Sequence, residues 1–303
     1  MDLFDLSGKV AIVTGGNSGI GFAAAKEFSR KGAKTILACR SMDRAQAALH
    51  KLQAEIPNAP VEMMQLDLAR LASVHQFVDA FKAKYDRLDV LVNNAGVMMV
   101  PYGTTEDGFE RQMGTNHLGH FALTGLLMDL LLKTPHSRVV NVSSNGHTSG
   151  VMDFDNLLFA GGQDYSPMKA YGRSKLANLL FTYELRRRYE AAGSSAIAVA
   201  AHPGASSTNL GNHLGERSFG MGLLMKVGLL ISQSAAMGAL PTIRAAVAPD
   251  VQGGDYYGPS GFMEVRGHPV KVESNKASHN RADAQKLWEV SEDLTGVTYN
   301  WSR

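Results

Sequence analysis

Residues 9–22, Lys-Val-Ala-Ile-Val-Thr-Gly-Gly-Asn-Ser-Gly-Ile-Gly-Phe, constrain the fold more than any other stretch of the chain. The apolar run 10–13 suits a strand buried on both faces. Gly15, Gly16, Gly19 and Gly21 follow, and 22–31 has helical apolar spacing at Phe22, Ala25 and Phe28. Strand, glycine turn and helix together bring free backbone N–H groups to a helix N-terminus, where a pyrophosphate can sit. The glycines serve the tight turn, the approach of backbone to phosphate and the packing of helix on strand. Their spacing, Gly-x-x-x-Gly-x-Gly, differs from the common Gly-x-Gly-x-x-Gly fingerprint, and no Gly-Lys-Ser/Thr follows to make a P-loop. Taken alone, the stretch also fits an ordinary strand–turn–helix.

The alternation continues. Residues 35–38, 61–66, 90–92, 138–142 and 197–201 read as further strands, and 44–55, 73–85, 108–132 and 170–190 as helices. Gly114, Gly119 and Gly125 weaken the third of these helices. The order predicts an α/β fold, a doubly wound parallel sheet with helices on both faces and right-handed crossovers. The 303 residues contain no repeat and no interdomain linker, so a single domain over 1–303 is expected. Ligands of such sheets bind beyond the carboxyl ends of the strands. Polar residues gather there: Arg40 and Ser41 after the second strand, Asp67 after the third, Asn93 and Asn94 after the fourth. Ser143 and Ser144 follow the fifth, and His202-Pro203-Gly204 the sixth. Five successive strand ends with such chemistry point to a cofactor cleft.

Arg40 stands where this kind of fold usually has an acid that holds a ribose 2′-hydroxyl. A guanidinium there can bind a 2′-phosphate bidentately, which favours NADP(H) over NAD(H). The other reading of Arg40 is a solvated surface charge. Tyr171 and Lys175, four apart, share a face of the helix 170–190. A nearby ammonium favours phenolate and is expected to lower the tyrosine pKa, making it an acid–base group for a carbonyl or an alcohol. Such a pair is by itself often only a solvated helix face. A second pair, Tyr165 and Lys169, encloses Pro167, which argues against a helical turn there.

The bulk numbers exclude more than they select. A formal net charge of +2 implies no general attraction to nucleic acid or anionic membrane. Cys39 is the one cysteine, so no internal disulfide forms, and no Cys/His spacing suggests a metal site. Residues 1–5, Met-Asp-Leu-Phe-Asp, are unlike a signal peptide, and the greasy stretch 221–231 is short and broken by Lys226. A cytoplasmic protein with no membrane span is expected.

Thr14-Gly-x-x-x-Gly-x-Gly21, Asn93-Asn-Ala-Gly96, Asn116, Asn-Val-Ser-Ser144, Tyr171-x-x-x-Lys175 and Pro203-Gly204 occur in the order of a short-chain dehydrogenase/reductase. The resemblance spans essentially the whole chain. It is nearest the retinol dehydrogenase and WW-domain oxidoreductase branch, through Leu-Ala-Cys-Arg-Ser41, Asn116-His-Leu-Gly-His-Phe121, Ser174-Lys-Leu-Ala-Asn178 and Leu287-Trp-Glu-Val-Ser291. It implies a Rossmann fold, a cofactor half at about 1–145 and a catalytic and substrate half at about 146–303. It also implies an oxidoreductase that uses NADP(H) to interconvert an alcohol and an aldehyde or ketone. Tyr171 would be the acid/base and Lys175 would hold the nicotinamide ribose. Ser144, second of its pair, would bond the substrate oxygen, and Asn116 would hold a water in a proton relay. Only one serine of the pair can face the cleft, since neighbours on a strand point oppositely.

The same resemblance assigns Gly15, Asn17, Ser18, Gly19, Ile20 and Gly21 to the pyrophosphate turn, Arg40 and Ser41 to the 2′ position, and Asp67 and Leu68 to the adenine. Asn94 falls near the adenosine ribose and Thr208, after Pro203-Gly204, near the carboxamide, with Ser206 and Ser207 as competitors for Thr208; Ala95, Gly96, Pro203 and Gly204 are also assigned to the cofactor. Residues 147–168 would form a loop at the cleft mouth, and 209–234 either a substrate lid or packed core. The Met- and Leu-rich composition of 209–234 suits a hydrophobic substrate. His117 and His120 read as packing or hydrogen-bonded helix residues. Relatives pair through two long helices, here 108–132 and 170–190, so a homodimer is open to this chain unless a C-terminal segment blocks it. Rival functions are reduction of a C=C bond, as in light-dependent protochlorophyllide reductases, and a cofactor-binding scaffold with little turnover.

Overall fold

The computed structural model describes residues 5–205 and 233–301; Thr208, Ser206, Ser207 and nearly all of the segment 209–234 lie outside them. The six anticipated strands are β1 (Val10–Thr14), β2 (Lys34–Cys39), β3 (Val61–Gln65), β4 (Val90–Asn93), β5 (Arg138–Val142) and β6 (Ile197–Ala201). Two short strands, β7 (Tyr256–Pro259) and β8 (Pro269–Lys271), extend the sheet. The order is β3-β2-β1-β4-β5-β6-β7-β8. All pairings are parallel except β7 with β8. The sheet is therefore mostly, not wholly, parallel, because the connection 260–268 is too short for a crossover. Strand order reverses between β1 and β4, which opens a crevice beyond their carboxyl ends.

Successive β1 side chains feed opposite cores. Val13 joins Leu37 and Val92 beneath α1 (Gly19–Arg30) and α2 (Met42–Glu55), with Ala25, Phe28 and Leu52 facing them. Ile12 joins Ile36 and Leu91 beneath α3 (Leu71–Lys82), with Phe77 and Phe81 facing them. The expected helix 108–132 is broken into α4 (Arg111–Met113), a π-helical turn Gly114–Leu118, α5 (Gly119–Leu126) and α6 (Met128–Lys133). Its glycines are points of close approach. A Cβ at Gly114 would crowd Thr105, at Gly119 the Leu68 carbonyl, and at Gly125 the Tyr299 ring. The break comes from the π-turn, in which Gly119 N–H reaches Gly114 O; such bulges are frequent at functional positions.

Helix α7 (Pro167–Ala191) starts on a proline, with Ser166 accepting from Lys169 N–H as its cap. Tyr165 is thus outside the helix, and its hydroxyl donates to Val100 O. Helix α8 (Ala235–Val247) joins the α1 face, and α9 (Arg281–Thr295) lies across α5 and α7 on the other. There Trp288 and Tyr299 pack against Phe121 and Phe181, with Arg188 over the Trp288 ring at 4.1 Å. No helix among the described residues is long and apolar enough to cross a membrane.

Candidate active site

The glycine turn fits a phosphate by what it leaves out. Gly15 has φ +65°, and a Cβ on Gly21 would lie 2.5 Å from Gly15 O and from Asn94 Nδ2. Ser18 precedes α1 in extended backbone without capping it, and the first turn carries no acid. The first-turn N–H groups therefore have no competing side-chain acceptor. Asn17 and Ile20 are half-buried on this turn, Ile20 against the α1-side core. Asn94 Nδ2 donates to Thr14 O, and the N–H groups of Asn94 and Ala95 both donate to Thr14 Oγ1 at 2.9 Å. A Cβ on Gly96 would come within 2.9 Å of Asn116 Oδ1 and 3.7 Å of Lys175 Nζ, so this backbone passes over both side chains.

At the far side of β1, Arg40 is exposed and makes no ion pair with another described residue, while Ser41 caps α2 by accepting from Arg44 N–H. Asp67 accepts from Ala69 N–H, and Leu68 is buried against Gly119. Gly204 (φ +63°) donates its N–H to His202 Nδ1, and Pro203 O accepts from Gln233 Nε2.

The two serines after β5 part company. Ser143 is buried and donates to Lys175 O at 2.8 Å. Ser144 accepts from Gly146 N–H at 3.1 Å, and its hydroxyl and the Tyr171 ring both lie beside Gly146. A Cβ on Gly146 would lie 2.9 Å from the Tyr171 ring, so only glycine lets that ring lie against the turn. Lys175 Nζ donates to Val142 O at 3.1 Å and stands 5.8 Å from the centroid of the Tyr171 ring. Burial lowers the Lys175 pKa to about 8. Burial also pushes the Tyr171 phenol up, partly offset by the nearby Ser144 hydroxyl. That is opposite to the lowering anticipated from Lys175, because loss of hydration sets the direction. The phenol is held protonated, as a proton donor requires.

Asn116 is buried on the π-turn. Its Oδ1 accepts from Val97 N–H, and its Nδ2 donates to Val97 O and Ser174 Oγ. Its amide is thus committed to protein partners, and the Asn116 main-chain carbonyl accepts from His120 Nδ1. His117 and His120 are both buried, with burial lowering their pKa values to about 3 and about 4. No group of His, Cys, Asp and Glu among the described residues is placed to hold a metal.

A second set of contacts had no signal in the sequence. The turn 261–265 carries Met263 and Glu264 at φ +51° and +55°. Met263 O accepts from Asn145 Nδ2, and Glu264 Oε2 accepts from His202 Nε2 at 2.8 Å. This turn ties the residue after Ser144 to the strand end that carries Pro203–Gly204.

A model of the short chain dehydrogenase family matches residues 9–218. Human retinol dehydrogenase 13 is 40% identical over 296 residues, 96% of this chain and 86% of that protein. Mouse retinol dehydrogenase 12 is 38% identical over 296 residues, 97% of this chain and 88% of its own length. Human polyprenol dehydrogenase is 40% identical over 299 residues, 95% and 86% respectively. A crystal structure from Mycobacterium paratuberculosis superposes with a TM-score of 0.81 at 40% identity, covering 99% of this chain and 97% of that one. The RhlG/NADP active-site complex of Pseudomonas aeruginosa shares the fold, with a TM-score of 0.66 at 22% identity over 84% of this chain and 96% of its own.

Proposed function

The chain belongs to the short chain dehydrogenase family, an oxidoreductase family that binds a nicotinamide cofactor, and we propose that it interconverts a hydrophobic alcohol and its aldehyde or ketone with NADP(H). The observation that carries the chemistry is the gathering of Ser144 Oγ and the Tyr171 ring beside Gly146, with Lys175 next to the same ring. Bound in this cleft, the cofactor supplies or accepts a hydride. Tyr171 gives its proton to the carbonyl oxygen in reduction and takes it back in oxidation. Ser144 bonds that same oxygen, and Lys175 holds the nicotinamide ribose. Gly15, Gly19 and Gly21 admit the pyrophosphate to the uncapped end of α1.

Arg40 supports the NADP(H) preference: its guanidinium is exposed at the end of β2 and makes no ion pair with another described residue. Hydrophobicity of the substrate is supported by the rim. Of the six exposed large hydrophobic side chains among the described residues, Tyr102, Val151, Met168, Phe262 and Met263 stand on segments beside the cleft. Tyr102 packs on Tyr165, Val151 follows the turn after Ser144, Met168 opens α7, and Met263 is bonded to Asn145. The named substrates of the relatives, retinol and polyprenol, are apolar alcohols of this kind.

The test is NADPH oxidation against retinal, polyprenal, steroid ketones and quinones, with Tyr171→Phe in parallel. The expected result is turnover of at least one long apolar aldehyde or ketone, and a loss of about 10²–10⁴-fold in the Phe protein with NADPH binding retained. Native turnover in Tyr171→Phe sinks the mechanism.

A further inference from the structure

His120 lies on α5, directly below the junction of the cofactor strand and the catalytic helix turn, and is almost wholly buried together with Thr14, Asn116 and Ser174. Its Nδ1 is 3.0 Å from Asn116 O and its Nε2 is 2.9 Å from Thr14 Oγ1. A carbonyl only accepts, so Nδ1 must carry the proton. Burial and, to a lesser degree, Lys175 lower the His120 pKa to about 4, while the bond to Asn116 O acts in the other direction. The ring is therefore neutral at neutral pH, and Nε2 has only a lone pair to offer. Thr14 must donate its hydroxyl proton to Nε2, with Val92 O a weaker alternative at 3.3 Å. The Thr14 oxygen in turn accepts from the N–H groups of Asn94 and Ala95.

On the other side of Asn116 the polarity continues. Asn116 Nδ2 donates to Ser174 Oγ at 2.9 Å, and Ser174 Oγ donates to Tyr171 O at 2.8 Å. Two runs meet at Asn116: Asn94 and Ala95 N–H donate to Thr14, Thr14 to His120 and His120 to the Asn116 main-chain carbonyl, while the Asn116 side-chain amide donates to Ser174 and Ser174 to the main chain of Tyr171. Each hydroxyl in them both accepts and donates, and within each run hydrogen bonds aligned this way reinforce one another in a buried setting. The segments they join are the turn that follows β4 and the helix turn that carries Tyr171.

We propose that His120 is a positioning residue, which holds Asn116 and through it the Tyr171 turn in register with the cofactor-binding end of β1 and β4. Beside the bonds of the Asn116 side chain to Val97, the imidazole ties the π-turn Gly114–Leu118 to Thr14 at the end of β1. It touches neither substrate nor cofactor and transfers no proton. Its neutral, single-tautomer ring is what lets one side chain donate to a carbonyl and accept from a hydroxyl at once.

The inference rests on the function proposed above, and Tyr171→Phe in parallel separates the two. His120→Leu removes both ring bonds; His120→Gln keeps one amide donor and one carbonyl acceptor. With the carbonyl compound that the substrate panel returns, the Leu protein is expected to lose at least about tenfold in kcat while NADPH affinity changes less than about threefold, and the Gln protein to lose less. Nitrogen-15 NMR of the native protein is expected to show a proton on Nδ1, none on Nε2, and no titration of this ring between about pH 5 and 8. A proton on Nε2, a ring that titrates in that range, or native kcat in His120→Leu beside an inactive Tyr171→Phe overturns the proposal. Should the Leu protein fail to fold, Thr14→Val breaks the chain one link earlier in a side chain of the same shape. A similar fall in kcat with NADPH still bound is expected, and native kcat overturns the proposal.

Discussion

Lys175→Met is expected to make the protein more stable and much less active. Lys175 is buried and titrates near 8 in the fold against 10.5 in an exposed chain. At about 1.36 kcal/mol per pH unit, carrying that charge inside costs the folded state about 3 kcal/mol at pH 7. Methionine has similar length and no charge. The hydrogen bond from Nζ to Val142 O is lost, but that carbonyl keeps its bond from Asn178 Nδ2 at 3.1 Å, so it is not orphaned. Subtracting about 1 kcal/mol for the lost bond leaves the Met protein ahead by about 2 kcal/mol at pH 7.

The sign with pH follows from proton counts. Between about 8 and 10.5 the unfolded chain holds the lysine proton and the folded chain has released it. Native stability therefore rises with pH across that window, and the Met protein shows no such rise. The advantage of Met should shrink steadily above pH 8. Taking the difference between the two proteins cancels the buried tyrosines, which both share. Urea unfolding at pH 7, 8 and 9 measures it, with equal m-values as the control for two-state comparison. Turnover is expected to fall by at least about 10²-fold. A Met protein less stable than native at pH 7, or an advantage that stays constant from pH 8 to 9.5, refutes the reasoning.

Ser144→Ala should lose turnover by about 10²-fold or more with stability nearly unchanged, whereas Ser143→Ala, which strips a buried donor from Lys175 O, should cost about 1–2 kcal/mol of stability; kinetics and urea melts on both separate the roles. Arg40→Asp should weaken NADPH by at least about tenfold and leave NADH much less affected, by fluorescence titration; equal losses for both cofactors would remove Arg40 as the discriminator. Helix α9 and residues 297–301 cover Phe121 and Phe181 on the helices through which relatives pair. A monomer is therefore expected in sedimentation, and Trp288→Ala should cost about 3–5 kcal/mol; a dimer that persists at micromolar concentration contradicts this covering.

Local patterns in the chain are enough for six of the eight strands, for the start of α1 at the glycine turn, and for the choice of Tyr171 over Tyr165. Those depend on apolar runs, on glycine chemistry and on Pro167, all of which act within a few residues. β7 and β8 escaped because four- and three-residue strands rich in Gly and Pro have no period to detect. The break in 108–132 escaped for a related reason. Gly114, Gly119 and Gly125 look like breakers, yet each answers to a distant neighbour, Thr105, Leu68 or Tyr299.

What the sequence by itself determined is the order of elements, the family and the residue types that gather at the strand ends, since these are written in composition and spacing. Only the tertiary structure decided how Ser143 and Ser144 divide, one bonded back to Lys175 O and the other set beside the Tyr171 ring at Gly146. It alone decided that the Tyr171 pKa rises, because burial is a property of the whole packed fold and not of a helix face. It alone brought Thr14, His120 and Ser174 onto Asn116, the first two through its main-chain carbonyl and the last through its side-chain amide. Thr14 and Ser174 stand on separate elements far apart in the chain, and no local rule relates residues that meet only when the sheet and its helices close.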